Sequence, residues 1–190
     1  MRRHSFWFTI ALLFLAVGDL RAENTFSVTS AVTPLNFGGK TEVLGGITLT
    51  STAAGTSVSD ALEFLFPQLE ITNGFTGQVA LDPGTGMASA PGGITLSGTG
   101  GWRNAGVHLS FQASSQGGKV YVALPAGALI GANDSLSLNG IRADISTRST
   151  GEYIRARISS LNSTYNITEP AVGWVKPALN LVVETGYVPG

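Results

Sequence analysis

What most constrains this chain is a period-two alternation of apolar and polar side chains, clearest between Ser135 and Ser160. Ile154, Ala156 and Ile158 fall on one side of an extended backbone; Tyr153, Arg155, Arg157 and Ser159 fall on the other. A strand turns successive side chains to opposite faces, so this pattern suits one buried against a core on one side only. Ile141, Ala143 and Ile145 stand in the same relation to Arg142, Asp144 and Ser146. Just upstream, Leu136 and Leu138 occupy even positions, so the parity slips at Asn139-Gly140. A β-bulge that absorbs one extra residue produces such a slip, and so does a two-residue Asn-Gly hairpin. A hairpin leaves only Ser135–Leu138 for its first arm, which favours the bulge. The turn Ser149-Thr150-Gly151 is then expected to fold the two longer strands together antiparallel. Arg142, Asp144, Arg155 and Arg157 would form a cross-strand charge cluster outside.

The alternation recurs along the chain. Strands are expected at Phe26–Val32, at Glu42–Ser51 with Ile47 and Leu49 inward, and at Leu69–Thr72 and Gln78–Leu81. Val58–Phe66 reads as a strand through Leu62, Phe64 and Phe66, although a short helix capped at Ser59 or Asp60 also fits. The clearest hairpin joins Val107–Ala113 to Lys119–Leu124. It points Val107, Leu109, Phe111, Val120, Val122 and Leu124 inward and His108, Gln112 and Tyr121 outward. Ala171–Val175 and Leu179–Val183 supply closing strands. Pro34–Lys40 reads as a loop, and Asp82–Gly106 as a long mobile excursion with a strand only at Ile94–Ser97. Short strands at this spacing predict an all-β fold, a two-sheet antiparallel β-sandwich of Ig-like or jelly-roll type, in one domain over residues 23–190. A barrel is the alternative.

Composition narrows the function. Charged residues are only 12% and glycines number 25, a balance common among extracellular β-proteins. Arg2 and Arg3 precede an apolar run from Phe6 to Val17, interrupted only by Thr9, and a short polar segment ends at Ala22. This predicts a signal-peptide helix over residues 1–22, too short for a span that needs about 20 apolar residues. Cleavage after Gly18 is the alternative. Loss of three Arg and one Asp with that leader takes the net charge from −1 to −3. No nucleic-acid footprint remains. With no cysteine, disulfides and thiol chemistry are excluded.

Catalytic patterns are scarce. His108 is the one histidine beyond the leader, and no G-x-S-x-G accompanies it. No two acids stand at i, i+2 on one expected strand, which leaves no readable pair for glycoside hydrolysis. Gly38-Gly39-Lys40-Thr41 has Pro34 where a phosphate loop needs glycine. Asp82 and Asp134 are acids that calcium could use, without the spacing of a calcium loop. No metal site or cofactor is expected. Asn133, Asn162 and Asn166 are glycosylation sequons, relevant only in a eukaryotic host. A ligand site is best sought at Trp102, on a glycine-rich stretch, with Arg103, Asn104 and the outward Tyr121 beside it. The favoured reading of Trp102 itself is that it folds back to plug one end of the sandwich, and Trp174 is also expected in the core.

Three stretches carry a resemblance: TEVLGGITLT (Thr41–Thr50), NGIRADIS (Asn139–Ser146) and the closing apolar strand up to Lys176. Together they resemble a loosely defined group of secreted bacterial β-sandwich modules, cohesin-like in general order. The expected function is a secreted, non-catalytic module for adhesion, surface structure or protein docking. It would meet a protein or polysaccharide outside the cytoplasm (extracellular, cell surface or periplasm), with no membrane span after cleavage. A carbohydrate-binding module is the alternative, and a secreted hydrolase a further one.

Overall fold

The computed structural model describes residues 26–56, 60–160 and 169–177. The expected leader, the strand at Leu179–Val183, the sequons Asn162 and Asn166 and the start of Val58–Phe66 lie outside them. In chain order the strands are β1 (Phe26–Ser30), β2 (Thr33–Leu35), β3 (Glu42–Val43), β4 (Ile47–Ser51), β5 (Gly55–Thr56), β6 (Asp60–Pro67), β7 (Glu70–Ile71), β8 (Gln78–Ala80) and β9 (Met87–Ser89). After a 3-10 turn at Pro91–Gly93 come β10 (Thr95–Gly98), the one-turn helix α1 (Gly101–Asn104), β11 (His108–Gln112) and β12 (Gly117–Leu124). β13 (Leu129–Ile130), β14 (Ser135–Asn139), β15 (Arg142–Asp144), β16 (Tyr153–Arg155), β17 (Arg157–Ser160) and β18 (Ala171–Val175) follow.

The chain is all-β, but the expected two-sheet sandwich does not form. Its strands divide into four sheets of three to five strands, plus the ribbon β13-β5, set in a propeller-like ring rather than two stacked layers. Two sheets are five-stranded, β1-β4-β14-β10-β9 and β17-β6-β12-β11-β8; two are three-stranded, β3-β15-β7 and β16-β18-β2. In the last of these β18 runs parallel to β2, a pairing foreign to an antiparallel sandwich. Alternation dictates which side chains are buried. It does not dictate which sheet accepts the strand.

The parity slip shows this best. β14 pairs with β4 and β10, while β15, two residues later, pairs with β3 and β7. Neither a bulge nor a hairpin causes the slip: the chain crosses there from one sheet to another. Gly140 makes the crossing at φ +78, where an added Cβ would strike the carbonyl of Gly93. Buried Asn73 seals it. Its Nδ2 donates to the carbonyls of Gly92 (2.9 Å) and Gly140 (2.7 Å), and its Oδ1 accepts the Arg142 N–H at 2.8 Å.

The hairpin expected across Ser149–Gly151 is also absent, since β16 pairs with β18 and β17 with β6. The charge cluster goes with it. Arg157 instead meets Glu169 at 2.9 Å, and Arg155 donates to the Glu169 carbonyl at 3.1 Å. The inward set survives the change of partners: Ile141, Ala143, Ile145, Ile154, Ala156 and Ile158 are all buried.

Elsewhere pairing follows the pattern. β11 and β12 form the expected hairpin, placing Leu109 opposite Val122 and Phe111 opposite Val120. β6 is a strand that buries Leu62, Phe64 and Phe66. Across one five-stranded sheet Ile47, Leu138, Leu96 and Ala88 stand in a row; across the other, Ile158, Phe64, Val120 and Phe111. Each fully buried large apolar side chain contributes roughly 1.5–3 kcal/mol against exposure. Asp82–Gly106, expected as a mobile excursion, is built into the fold as β9, the 3-10 turn, β10 and α1. Glycines at positive φ, among them Gly86, Gly92 and Gly100, fold it back so that Ile94, Leu96 and Trp102 reach the interior.

Candidate interaction surfaces

Trp102, Arg103, Asn104 and Tyr121 do not come together. α1 packs against β10 and β13, whereas Tyr121 stands on β12, in a different sheet. Trp102 is 0% exposed, with its ring 5.8 Å from that of Phe26 and tilted by 39°. It offers no open ring face for a sugar. Its Nε1 has no hydrogen-bond partner among the described residues. Arg103 reaches back to donate to the Gly84 carbonyl, and only Asn104 is exposed.

Tyr121 belongs to a polar cluster on the outer face of its sheet, where strand register sets Glu63 opposite it. Its hydroxyl lies 3.0 Å from Glu63 Oε2 and 3.1 Å from Gln112 Oε1, and Lys119 Nζ donates to the same Glu63 oxygen at 3.0 Å. The bond that Lys119 donates to Glu63 holds its ammonium above its ordinary pKa against the opposing effect of burial. Burial first, and then Glu63, raise the Tyr121 phenol. The cluster ties β6 to β12.

The acids considered for calcium are occupied by the protein's own donors. Asp134 Oδ2 accepts the N–H groups of Gly101 (2.7 Å) and Gly131 (2.6 Å). Asp82 Oδ1 accepts the Thr85 N–H at 2.7 Å and its hydroxyl at 3.0 Å, and that backbone bond chiefly holds the Asp82 carboxyl below its ordinary pKa. Among the described residues no three His, Cys, Asp or Glu side chains are placed to share a metal ion. His108 is half-buried in β11.

A surface that sequence reasoning missed lies on the sheet β16-β18-β2. Trp174 stands opposite Tyr153 on one side and Pro34 on the other, so the three occupy one row on one face. Tyr153 is 56% exposed, Pro34 is exposed and Trp174 half-buried; Val32, two residues before Pro34, is 47% exposed. The opposite face carries Leu35, Ile154 and Val175, all buried. Gly173 lets these elements close, because a Cβ there would come 2.5 Å from Leu35 Cδ1. Trp174 was expected in the core and Pro34 in a loop. The missing information was pairing: Pro34 lies on an edge strand, where a residue without an N–H is tolerated. Exposed Tyr153 beside Arg155 was the one hint in the sequence.

Comparison with protein-family models, curated proteins and solved structures finds no match. The observations define a class, an all-β chain with a solvent-facing aromatic row. Among the described residues no helix is long and apolar enough to cross a membrane.

Proposed function

We propose that this chain is an exported, non-catalytic module that docks a partner protein at the cell surface through the face bearing Pro34, Trp174 and Tyr153. The observation that carries the reading is the row itself: contiguous aromatic and apolar side chains held outward on a paired sheet. Tyr, Trp and Arg are the residues most enriched where protein partners bind tightly, and rigid aromatics lose little entropy on contact. Arg155, exposed beside Tyr153, adds a charged rim. The charged, then apolar, N-terminal segment up to Ala22 supports export.

The test is photo-crosslinking in cells that produce the protein. A photoreactive side chain at position 153 is expected to trap a protein adduct that disappears when Val32→Asp is added. The same probe at exposed Ser89, on β9, is expected to trap none. Equal adducts from both positions, or an adduct indifferent to Val32→Asp, would sink the proposal.

A further inference from the structure

A second surface, distinct from that row, is concave. Two adjoining clefts of about 490 and 590 Å³ share Ile71, Phe111 and Ala113. They lie between β7 with the loop after it and the turn joining β11 to β12. Phe111 ends the inward row of β11 where β8 no longer covers it, since β8 pairs only with His108–Ser110. The Phe111 ring is therefore half-buried and stands 6.2 Å from that of Phe75. Gly74 and Gly118 make room: a Cβ on Gly74 would strike the Phe111 ring, and one on Gly118 would strike Ile71.

The rim is polar and carries one charge. Gln68, Glu70, Thr72, Thr76 and Ser114 supply amide, carboxylate and hydroxyl groups, and among the described residues no lysine or arginine lines either cleft. Gln68 has φ +55, a left-handed conformation that costs a non-glycine residue on the order of 1–3 kcal/mol. Hydrogen bonds hold it there: its N–H donates to the Gln116 carbonyl, and the Arg148 side chain donates through Nη2 to the carbonyls of Pro67 and Gln68 at 3.0 and 2.9 Å. One Arg148 nitrogen bridging two successive carbonyls thus fixes the backbone at Gln68, which lines the first cleft.

We propose that this cleft binds a neutral oligosaccharide, one sugar ring packing its C–H face on Phe111 while its hydroxyls meet Glu70, Gln68 and Ser114. An apolar floor with a few convergent polar groups is the ordinary make-up of a small-ligand site, and both volumes fall in its range of about 300–1,000 Å³. The lone carboxylate selects against phosphorylated or acidic sugars. An extended peptide fits less well: β7 is only two residues long, and only Phe111 and Gln112 of β11 extend past β8, too few backbone groups for strand addition.

Calorimetric titration of the purified protein with neutral glucan, xylan, mannan and chitin oligosaccharides tests this. At least one is expected to bind saturably below about 1 mM, and Glu70→Ala to weaken it about tenfold. Gln68→Gly is the discriminating variant: it relieves the backbone strain and raises Tm, yet weakens binding. Tyr153→Asp leaves saccharide binding unchanged, which separates this site from the docking face. The proposal is overturned if no neutral oligosaccharide binds, if Gln68→Gly and Glu70→Ala bind like the wild type, or if a uronic-acid oligomer or an apolar peptide binds in preference.

Discussion

Replacing Asn73 tests whether the sheet-to-sheet crossing at Gly140 is held by one side chain. Asn73→Ala removes three hydrogen bonds, two donated to the Gly92 and Gly140 carbonyls and one accepted from the Arg142 N–H. At about 0.5–1.5 kcal/mol net per bond, with some cost returned by water at exposed Gly92, the loss comes to roughly 1–4 kcal/mol. Asn73→Asp keeps the shape and the Arg142 bond but turns a carboxylate toward two carbonyl oxygens. It is expected to cost at least as much as alanine at pH 7, and to recover in part as acid protonates the new carboxyl, whose folded pKa is raised. Urea denaturation gives the free energies, and Tm should fall about 2–4 °C per kcal/mol for a chain of this size. An aspartate variant clearly more stable than the alanine one at pH 7, or either variant within about 0.5 kcal/mol of wild type, would refute the argument.

Trp102→Ala is expected to cost about 3–5 kcal/mol in chemical denaturation. Trp102→Phe should cost less than half of that, because it also removes a buried N–H that has no partner among the described residues; equal losses would mean that N–H is satisfied after all. Gly140→Ala should destabilise by more than the roughly 1 kcal/mol of a left-handed alanine, since its Cβ meets the Gly93 carbonyl, and a neutral thermal melt would contradict the crossing geometry. The raised values of Lys119 and Tyr121 both mean stability that is complete below their ordinary pKa values of 10.5 and 10.0 and lost as pH climbs through the folded ones. Glu63→Gln should therefore flatten the alkaline fall of Tm measured from about pH 8 to about pH 12; an unchanged slope would remove Glu63 as the cause.

In the longer strands the inward face was legible because burial is written into single residues. Leu109, Val122, Phe64 and Ile158 were readable from alternation alone. Beyond the local hairpin β11–β12, pairing was not legible, because it depends on residues far apart: nothing local in Ile141–Ile145 names β3 and β7 as its neighbours. The slip at Asn139-Gly140 was visible, but its cause lay with Asn73 and Gly93. Outside the strand at Ile94–Ser97, which returns as β10, Asp82–Gly106 looked structureless because its glycines hide the few apolar residues it buries. Trp102, on that glycine-rich stretch, left two readings, ligand platform or core plug, and the favoured second one holds, its ring packed against Phe26. The aromatic row stayed hidden because Trp174 and Tyr153 meet only through the pairing of β16 with β18, which nothing local in either segment specifies.

Because the backbone passes from one sheet to the next at Gly140 and again at Ala156, between β16 and β17, no sheet corresponds to a contiguous stretch of sequence. Opening one sheet pulls on strands that belong to its neighbours, so partial melting gains little chain freedom for the contacts it gives up. The amides of β14, β15, β16 and β17 should exchange with solvent deuterium at one common rate, set by complete unfolding, and a nick near Gly140 should loosen two sheets at once.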